Sequence, residues 1–225
     1  VGIAGESRPG KGEIARERIK GEARRLFAQY GIDTVTIRDI AKAAGQRNGG
    51  SVNYYFRCKE DLVLEVLNDA ARELDTIRGR QLDALEESNN PITLRAIMTI
   101  LVLVDGFESD EQMRLFTMLQ IYRRDSMHSE IPGKWDQAYQ RCVAYLRGLI
   151  PDYPEKLFKQ RLYFLIPYIW TFMATREGGS GQAKFWQEFW ADPSTLENFL
   201  DTAEAMLLYP PSAAALSALG PQQAS

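Results

Sequence analysis

Residues 34–62 read TVTIRDIAKAAGQRNGGSVNYYFRCKEDL. Two short helical patterns flank a glycine turn, and an aromatic run and a fresh helix start follow. In the first pattern Ile37, Ile40, Ala41 and Ala44 share one face and leave Arg38, Asp39 and Lys42 on the other. Thr36 with Asp39 three residues later predicts a capping box at the start of that helix. Gly45 lets the chain turn at positive φ. The next helix is short, roughly Asn48 to Tyr54, and intrinsically poor. Gly49 and Gly50 each cost it about 1 kcal/mol relative to alanine. Its neighbours must therefore hold it, with Val52, Tyr55 and Phe56 as inward anchors. Two short helices joined by such a turn make a helix-turn-helix, in which the second helix enters a DNA major groove.

Several blocks of this stretch resemble the TetR family of bacterial transcriptional regulators (TetR/AcrR-like). They are Thr36-Ile37-Arg38-Asp39-Ile40-Ala41, Ala44-Gly45, Tyr54-Tyr55-Phe56 and Lys59-Glu60-Asp61-Leu62, in that order. The resemblance implies an all-α chain: an N-terminal three-helix helix-turn-helix DNA-binding domain, then a helical ligand-binding and dimerisation domain. It also shows departures. The span from Gly45 to Phe56 is one residue longer than the common spacing, Asn53 stands where a tyrosine is usual, and Cys58 replaces the customary serine cap.

With Val52, Tyr55 and Phe56 turned inward, Asn48, Ser51, Asn53 and Tyr54 remain to face the groove. Asparagine can bond adenine through two hydrogen bonds, and Ser or Tyr can reach bases or phosphates. Lys59 can meet a phosphate beside the free N–H groups of a helix start. Thr36 and Arg38 can do so from the preceding helix, and Arg47 completes the candidate set. Which of these touch bases and which touch phosphates is left open. Cys58 has a redox-sensing reading at a helix start and a plainer one, favoured here, as a tolerated small residue.

The net charge of −3 argues against nucleic acid until the chain is divided. Residues 1–60 carry 12 Lys/Arg against 7 Asp/Glu, a net +5, and residues 61–225 carry 15 against 23, a net −8. The basic end coincides with the helix-turn-helix, as phosphate binding requires. Hydrophobic residues at 45% and charged residues at 25% are ordinary for a globular protein. No apolar run is long enough to span a membrane, and the start carries no secretory pattern. Two cysteines, Cys58 and Cys142, are too few for a disulfide framework and suit a reducing cytoplasm. A single histidine, His128, without clustered thiolates or carboxylates argues against a metal site. No cofactor is expected, and no phosphate loop, dinucleotide fingerprint or nucleophile elbow appears.

The expected organisation is a disordered arm over 1–12, the helix-turn-helix domain over 13–58, a helical effector-binding and dimerisation domain over 59–209, and a flexible tail over 210–225. The first helix runs from about Glu13 to Tyr30, with Ala15, Ile19, Ala23, Leu26, Phe27 and Tyr30 on its stripe, and Gly31 stands where a left-handed cap belongs. Further helices follow from near Lys59, from Asn90-Pro91, after a Ser109/Gln112 capping box, over 132–150 and 155–177, and from Asp192-Pro193 to before Pro210, with a glycine-rich loop over 178–181.

A pocket between helices is mostly apolar with a few polar anchors. Its candidate lining is Phe107, Phe116, Tyr122, Arg123, Tyr139, Tyr168 and Phe172, although aromatics at helical spacing are more often core. The resemblance gives the dimer interface to the last two large helices. There Leu162, Tyr163, Ile166, Trp170, Leu196, Phe199, Leu200, Ala203 and Leu207 have helix-packing spacings, with an intramolecular core as the alternative. The leading expectation is a homodimer that binds a palindromic operator in double-stranded DNA and is released by a small apolar or aromatic effector. A DNA-binding regulator controlled by a protein partner and, more remotely, a helical enzyme are the alternatives.

Overall fold

The structure, a computed structural model, describes residues 10–46, 48–102, 114–115, 117–119, 129, 133–176 and 184–220. Every regular element among them is helical. The chain divides into two compact units, Val1–Ala70 and Ala71–Ser225.

Unit 1 holds α1 (Lys11–Tyr30), α2 (Ile37–Ala43), α3 (Gly49–Tyr55) and the first residues of α4 (Lys59–Glu87). Helix α1 begins at Lys11, so Lys11 and Gly12 extend the helix rather than belong to the expected arm. The ladder reaches back because Gly10, in an extended conformation, accepts from the Ile14 N–H at 3.0 Å. Ile19, Ala23 and Phe27 are fully buried. Tyr30, expected on the same stripe, is 55% exposed, and its place is taken by Ile32 and Val35 after the turn, both buried. Gly31 has positive φ (86°) but ψ of 147°, outside the left-handed helical basin expected of it. Only glycine occupies that region readily, and the chain leaves α1 sharply there.

The core of unit 1 is closed by Ile40, Ala44, Val52, Phe56, Leu62 and Val66. Charge is also ordered against it. Lys20 is nearly buried, with Asp69 at 2.5 Å and Glu17 at 2.6 Å. Burial alone draws the Lys20 ammonium down, but the hydrogen bonds to Asp69 and Glu17 outweigh it and the pKa ends above its ordinary value. Arg16 pairs with Glu65, and its guanidinium lies 4.8 Å over the Phe56 ring.

Unit 2 holds the rest of α4, α5 (Leu94–Val102), α6 (Gln137–Leu149), α7 (Glu155–Arg176), α8 (Lys184–Ala191), α9 (Pro193–Leu208) and α10 (Ala213–Ser217). Helix α5 starts later than Asn90-Pro91, because Thr93 caps it by accepting from the Ala96 N–H at 3.2 Å. Helix α9 starts where expected, with Asp192 accepting from the Ser194 N–H at 2.8 Å and Pro193 in the first turn. The aromatic-rich α8 was not anticipated from sequence. Nor was α10, which lies inside the stretch expected to be a flexible tail. Ser212 caps it, three alanines favour it, and Leu219 beyond it is buried. The Ser109/Gln112 capping box and the 178–181 loop lie outside the described residues.

Arginines tie the helices of unit 2 together. Arg95 on α5 meets Glu204 at 2.6 Å and Glu197 at 3.8 Å on α9, and also Asp201. Arg141 on α6 reaches Asp83 and Glu86 of α4, each at 2.8 Å. Arg161 on α7 donates to the Met206 and Leu207 carbonyls at 2.8 and 3.3 Å, satisfying acceptors that the end of α9 leaves open.

Acid sensitivity is expected at three helix starts. Hydrogen bonds from the Thr36 side chain and backbone hold the Asp39 carboxyl below its usual 3.8. Arg57 does the same to Asp61, and the Ser194 backbone and hydroxyl to Asp192. A carboxylate whose pKa is lower folded than unfolded stabilises the fold above the unfolded value. That contribution vanishes as pH falls through the lower, folded value. Stability measured by circular dichroism should therefore hold from neutrality down to about pH 4 and decline below it. A profile that stays flat or rises in acid contradicts these assignments.

Candidate nucleic-acid interface

The helix-turn-helix is built from local chemistry outward. The Thr36 hydroxyl accepts from the Asp39 N–H at 3.2 Å, and Asp39 accepts from the Thr36 N–H at 2.9 Å, completing the capping box. Gly45 turns the chain with φ of 65°. A Cβ there would stand 2.8 Å from Arg18 Nη2, a mobile side-chain end that can move aside, so it is the backbone conformation that selects glycine. Asn48 caps α3 by accepting from the Ser51 N–H at 3.2 Å.

Helix α3 is held at its back and open at its front. Val52 is fully buried and Phe56 nearly so, whereas Asn53 is exposed and Tyr54 is 84% exposed. Tyr55 is half-buried, and the Tyr54 ring meets it edge-on with centroids 5.1 Å apart. Gly49 lies beside Ile37 and Arg38 of α2. A Cβ at Gly49 would meet Ile37 Cγ2 at 3.4 Å and Arg38 Cγ at 3.8 Å, ordinary van der Waals contacts that leave room for a methyl group.

Of the candidate DNA contacts, Thr36, Arg38, Asn48, Asn53 and Tyr54 are exposed, and Ser51 and Lys59 are half-buried. Arg47 lies outside the described residues. Asn48 and Thr36 already spend side-chain oxygens on caps, which leaves Asn53 and Tyr54 as the residues of α3 whose outward groups carry no such duty. Lys59 is the first residue of α4, beside N–H groups that helix geometry leaves without intrahelical partners. Sequence reading passed over Arg57. Its side chain is 92% exposed, paired with Asp61 at 3.0 Å, in the turn between α3 and α4. A basic residue between the aromatic run and Lys59 was the available signal. Cys58 beside it is exposed.

Residues 21–66 match the family described as "Bacterial regulatory proteins, tetR family". Over this stretch the chain carries a TetR-type DNA-binding domain. It is 34% identical over 84 residues to the HTH-type transcriptional repressor KstR2 of Mycolicibacterium smegmatis, a match covering 37% of this chain and 39% of that protein. It is 32% identical over 90 residues to KstR2 of Mycobacterium tuberculosis, covering 40% of each. The chain thus spans about two fifths of the length of the curated relatives it matches. Among solved structures, a TetR-family transcriptional regulator from Mesorhizobium loti aligns with TM-score 0.51 and 17% identity over 86% of this chain and 98% of that one. Superantigen PfiT aligns with TM-score 0.51 and 19% identity over 88% of this chain and 97% of that one. At those identities the likeness shows the all-helical fold alone.

Within unit 2, the effector residues expected from sequence separate. Tyr168 and Phe172 lie on α7 and stack on Phe199 of α9, with centroids 4.9 and 4.5 Å away. They line a cleft of about 440 Å³ with Phe185 and Phe189 of α8 and, on its polar side, Glu188, Asp192, Asn198 and Thr202. The Tyr168 hydroxyl is 2.6 Å from Thr202 Oγ1. Tyr139 is not part of that lining and sits beside Arg78. Phe107, Phe116, Tyr122 and Arg123 lie outside the described residues, as does His128.

The expected dimer residues also divide. Leu162, Trp170, Phe199, Leu200, Ala203 and Leu207 are buried within the single chain, so intramolecular packing already takes their surface. Ile166 and Leu196 are half-buried. Tyr163 is 68% exposed, and the exposed apolar residues beside it in sequence or on the neighbouring α9 end are Phe164, Leu208 and Tyr209. Among the described residues no cluster of potential metal ligands occurs, and no helix is long and apolar enough to cross a membrane.

Proposed function

We propose that the chain is a homodimeric DNA-binding transcriptional repressor that occupies a palindromic operator in the cytoplasm and is released by a small molecule bound in unit 2. The observation that carries this reading is α3 itself. A seven-residue helix anchored by Val52 and Phe56 turns Asn53 and Tyr54 to solvent, with Arg38, Arg57 and Lys59 on the flanking elements. Positioning by phosphates and reading by base edges need this division of labour.

Two copies of α3 must enter successive major grooves about 34–36 Å apart, so a two-fold dimer is required. Tyr163 and Phe164 on α7, with Leu208 and Tyr209 at the end of α9, supply exposed apolar surface for it. The effector acts by favouring a conformer of the dimer that fits its operator less well. The names of the mycobacterial relatives support repression rather than activation.

Fluorescence anisotropy of the full chain on duplex DNA tests this reading. Affinity should fall about a thousand-fold between roughly 50 and 200 mM salt, as release of counterions from several phosphates demands. Lys59→Ala should weaken binding equally on every duplex and lower the salt slope by about one. A flat salt profile counts against groove docking, and a sequence-dependent loss in Lys59→Ala contradicts its phosphate role.

A further inference from the structure

We propose that Arg78 is the anion anchor of an effector site in unit 2, and that the effector is an apolar molecule carrying a carboxylate. This rests on the reading of unit 2 as the ligand-sensing part of the regulator.

Two cations are buried among the described residues, Lys20 and Arg78. Their circumstances are opposite. Lys20 has two carboxylates in contact. Arg78, only 6% exposed on α4, has none within ion-pair distance among the described residues. Its Nη2 donates to the Leu101 carbonyl at 3.3 Å, and its guanidinium carbon lies 5.7 Å from the centre of the Trp170 ring. Its Nε is buried with no hydrogen-bond partner.

One acid among the described residues acts on Arg78 electrostatically and already accepts a hydrogen bond from elsewhere. Asp75, one turn earlier on α4, accepts from the Ala138 N–H of α6 at 2.8 Å. The other groups facing Arg78 are Tyr139 and Cys142, and burial raises both above their ordinary values, so both are neutral near pH 7. Other arginines of unit 2 are answered: Arg95 and Arg141 by acids, Arg161 by helix-end carbonyls.

Arginine stays protonated even where burial lowers its pKa, as it does here. A buried charge without a counter-charge is strongly unfavourable, and replacing it by an apolar group of similar volume is often stabilising. Arg78 therefore weakens the ligand-free unit and gives the strongest return to whatever brings an anion to it. The Nε edge of a planar guanidinium matches a carboxylate through two parallel hydrogen bonds, here once Nη2 turns one proton from the long Leu101 bond. A single cation balances a monoanion, whereas a phosphate dianion would remain half-compensated in this apolar setting. The Trp170 ring beside the guanidinium supplies a flat apolar wall for the rest of the molecule.

The full chain is titrated calorimetrically, without DNA, with decanoate and phenylbutyrate and with their methyl esters. At least one acid should bind more tightly than its ester by about tenfold to a hundredfold, the value of a charge-assisted hydrogen bond. Arg78→Met should erase that preference, and its ligand-free melting temperature should equal or exceed that of the wild type. A lower melting temperature in Arg78→Met, equal binding of acids and esters, or no binding of either by the wild type overturns the proposal. DNA binding is measured separately on both proteins. A wild type that prefers the acids yet binds no DNA sinks the repressor reading and leaves the anchor standing.

Discussion

Phe27→Ala is expected to cost unit 1 about 3–5 kcal/mol. Phe27 is fully buried and shares the core with Ile19, Ala23, Ile40, Val52 and Phe56. The substitution removes the largest side chain on the buried face of α1 and leaves a cavity that α2 and α3 cannot fill without moving. Whole domains are stable by only about 5–15 kcal/mol, so a unit of some 70 residues loses much of its margin. Helix α3 suffers first, because Gly49 and Gly50 give it little intrinsic stability and it depends on anchors in that same core. Denaturant unfolding should show the loss, and DNA binding should weaken with it. A change below about 1 kcal/mol would mean that the site collapses around the smaller residue and that α3 is held by something other than this core.

Asn53→Ala is expected to remove about 1–3 kcal/mol of discrimination at one base-pair position in each half-site. Asn53 is an exposed residue of α3 whose amide presents a donor and an acceptor side by side, and neither is used among the described residues. Affinity for duplexes altered at that position should become nearly uniform, while the salt dependence stays as in the wild type. Unchanged selectivity would remove Asn53 from the reading set and pass the role to Tyr54 or Ser51. Asn53 stands where the family usually has tyrosine, so a distinct base preference at that position is expected of this chain.

Features fixed by neighbours a few residues away were legible in the sequence. The Thr36/Asp39 capping box, the positive φ of Gly45, the Asp192-Pro193 helix start and the burial of Val52 and Phe56 all depend on local spacing. What depends on contacts between helices was not. On α7, Leu162 to Ile166 form an unbroken apolar run, so periodicity could not tell the buried Leu162 and Leu165 from the exposed Tyr163 and Phe164. The residues proposed for a dimer interface were therefore largely those packed inside one chain. Arg78 carried no sequence signal at all, since its lack of a paired carboxylate among the described residues arises only when the helices of unit 2 come together.

The central claim is that α3 reads DNA twice, in a symmetric pair. Selection of bound sites from random duplex DNA with the full chain tests it most directly. The account expects an inverted repeat whose half-sites lie about 10 base pairs apart or a multiple of that, each with a strongly preferred base that Asn53→Ala relaxes. Recovery of no enriched sequence, or of an asymmetric single site bound by a monomer, would contradict it.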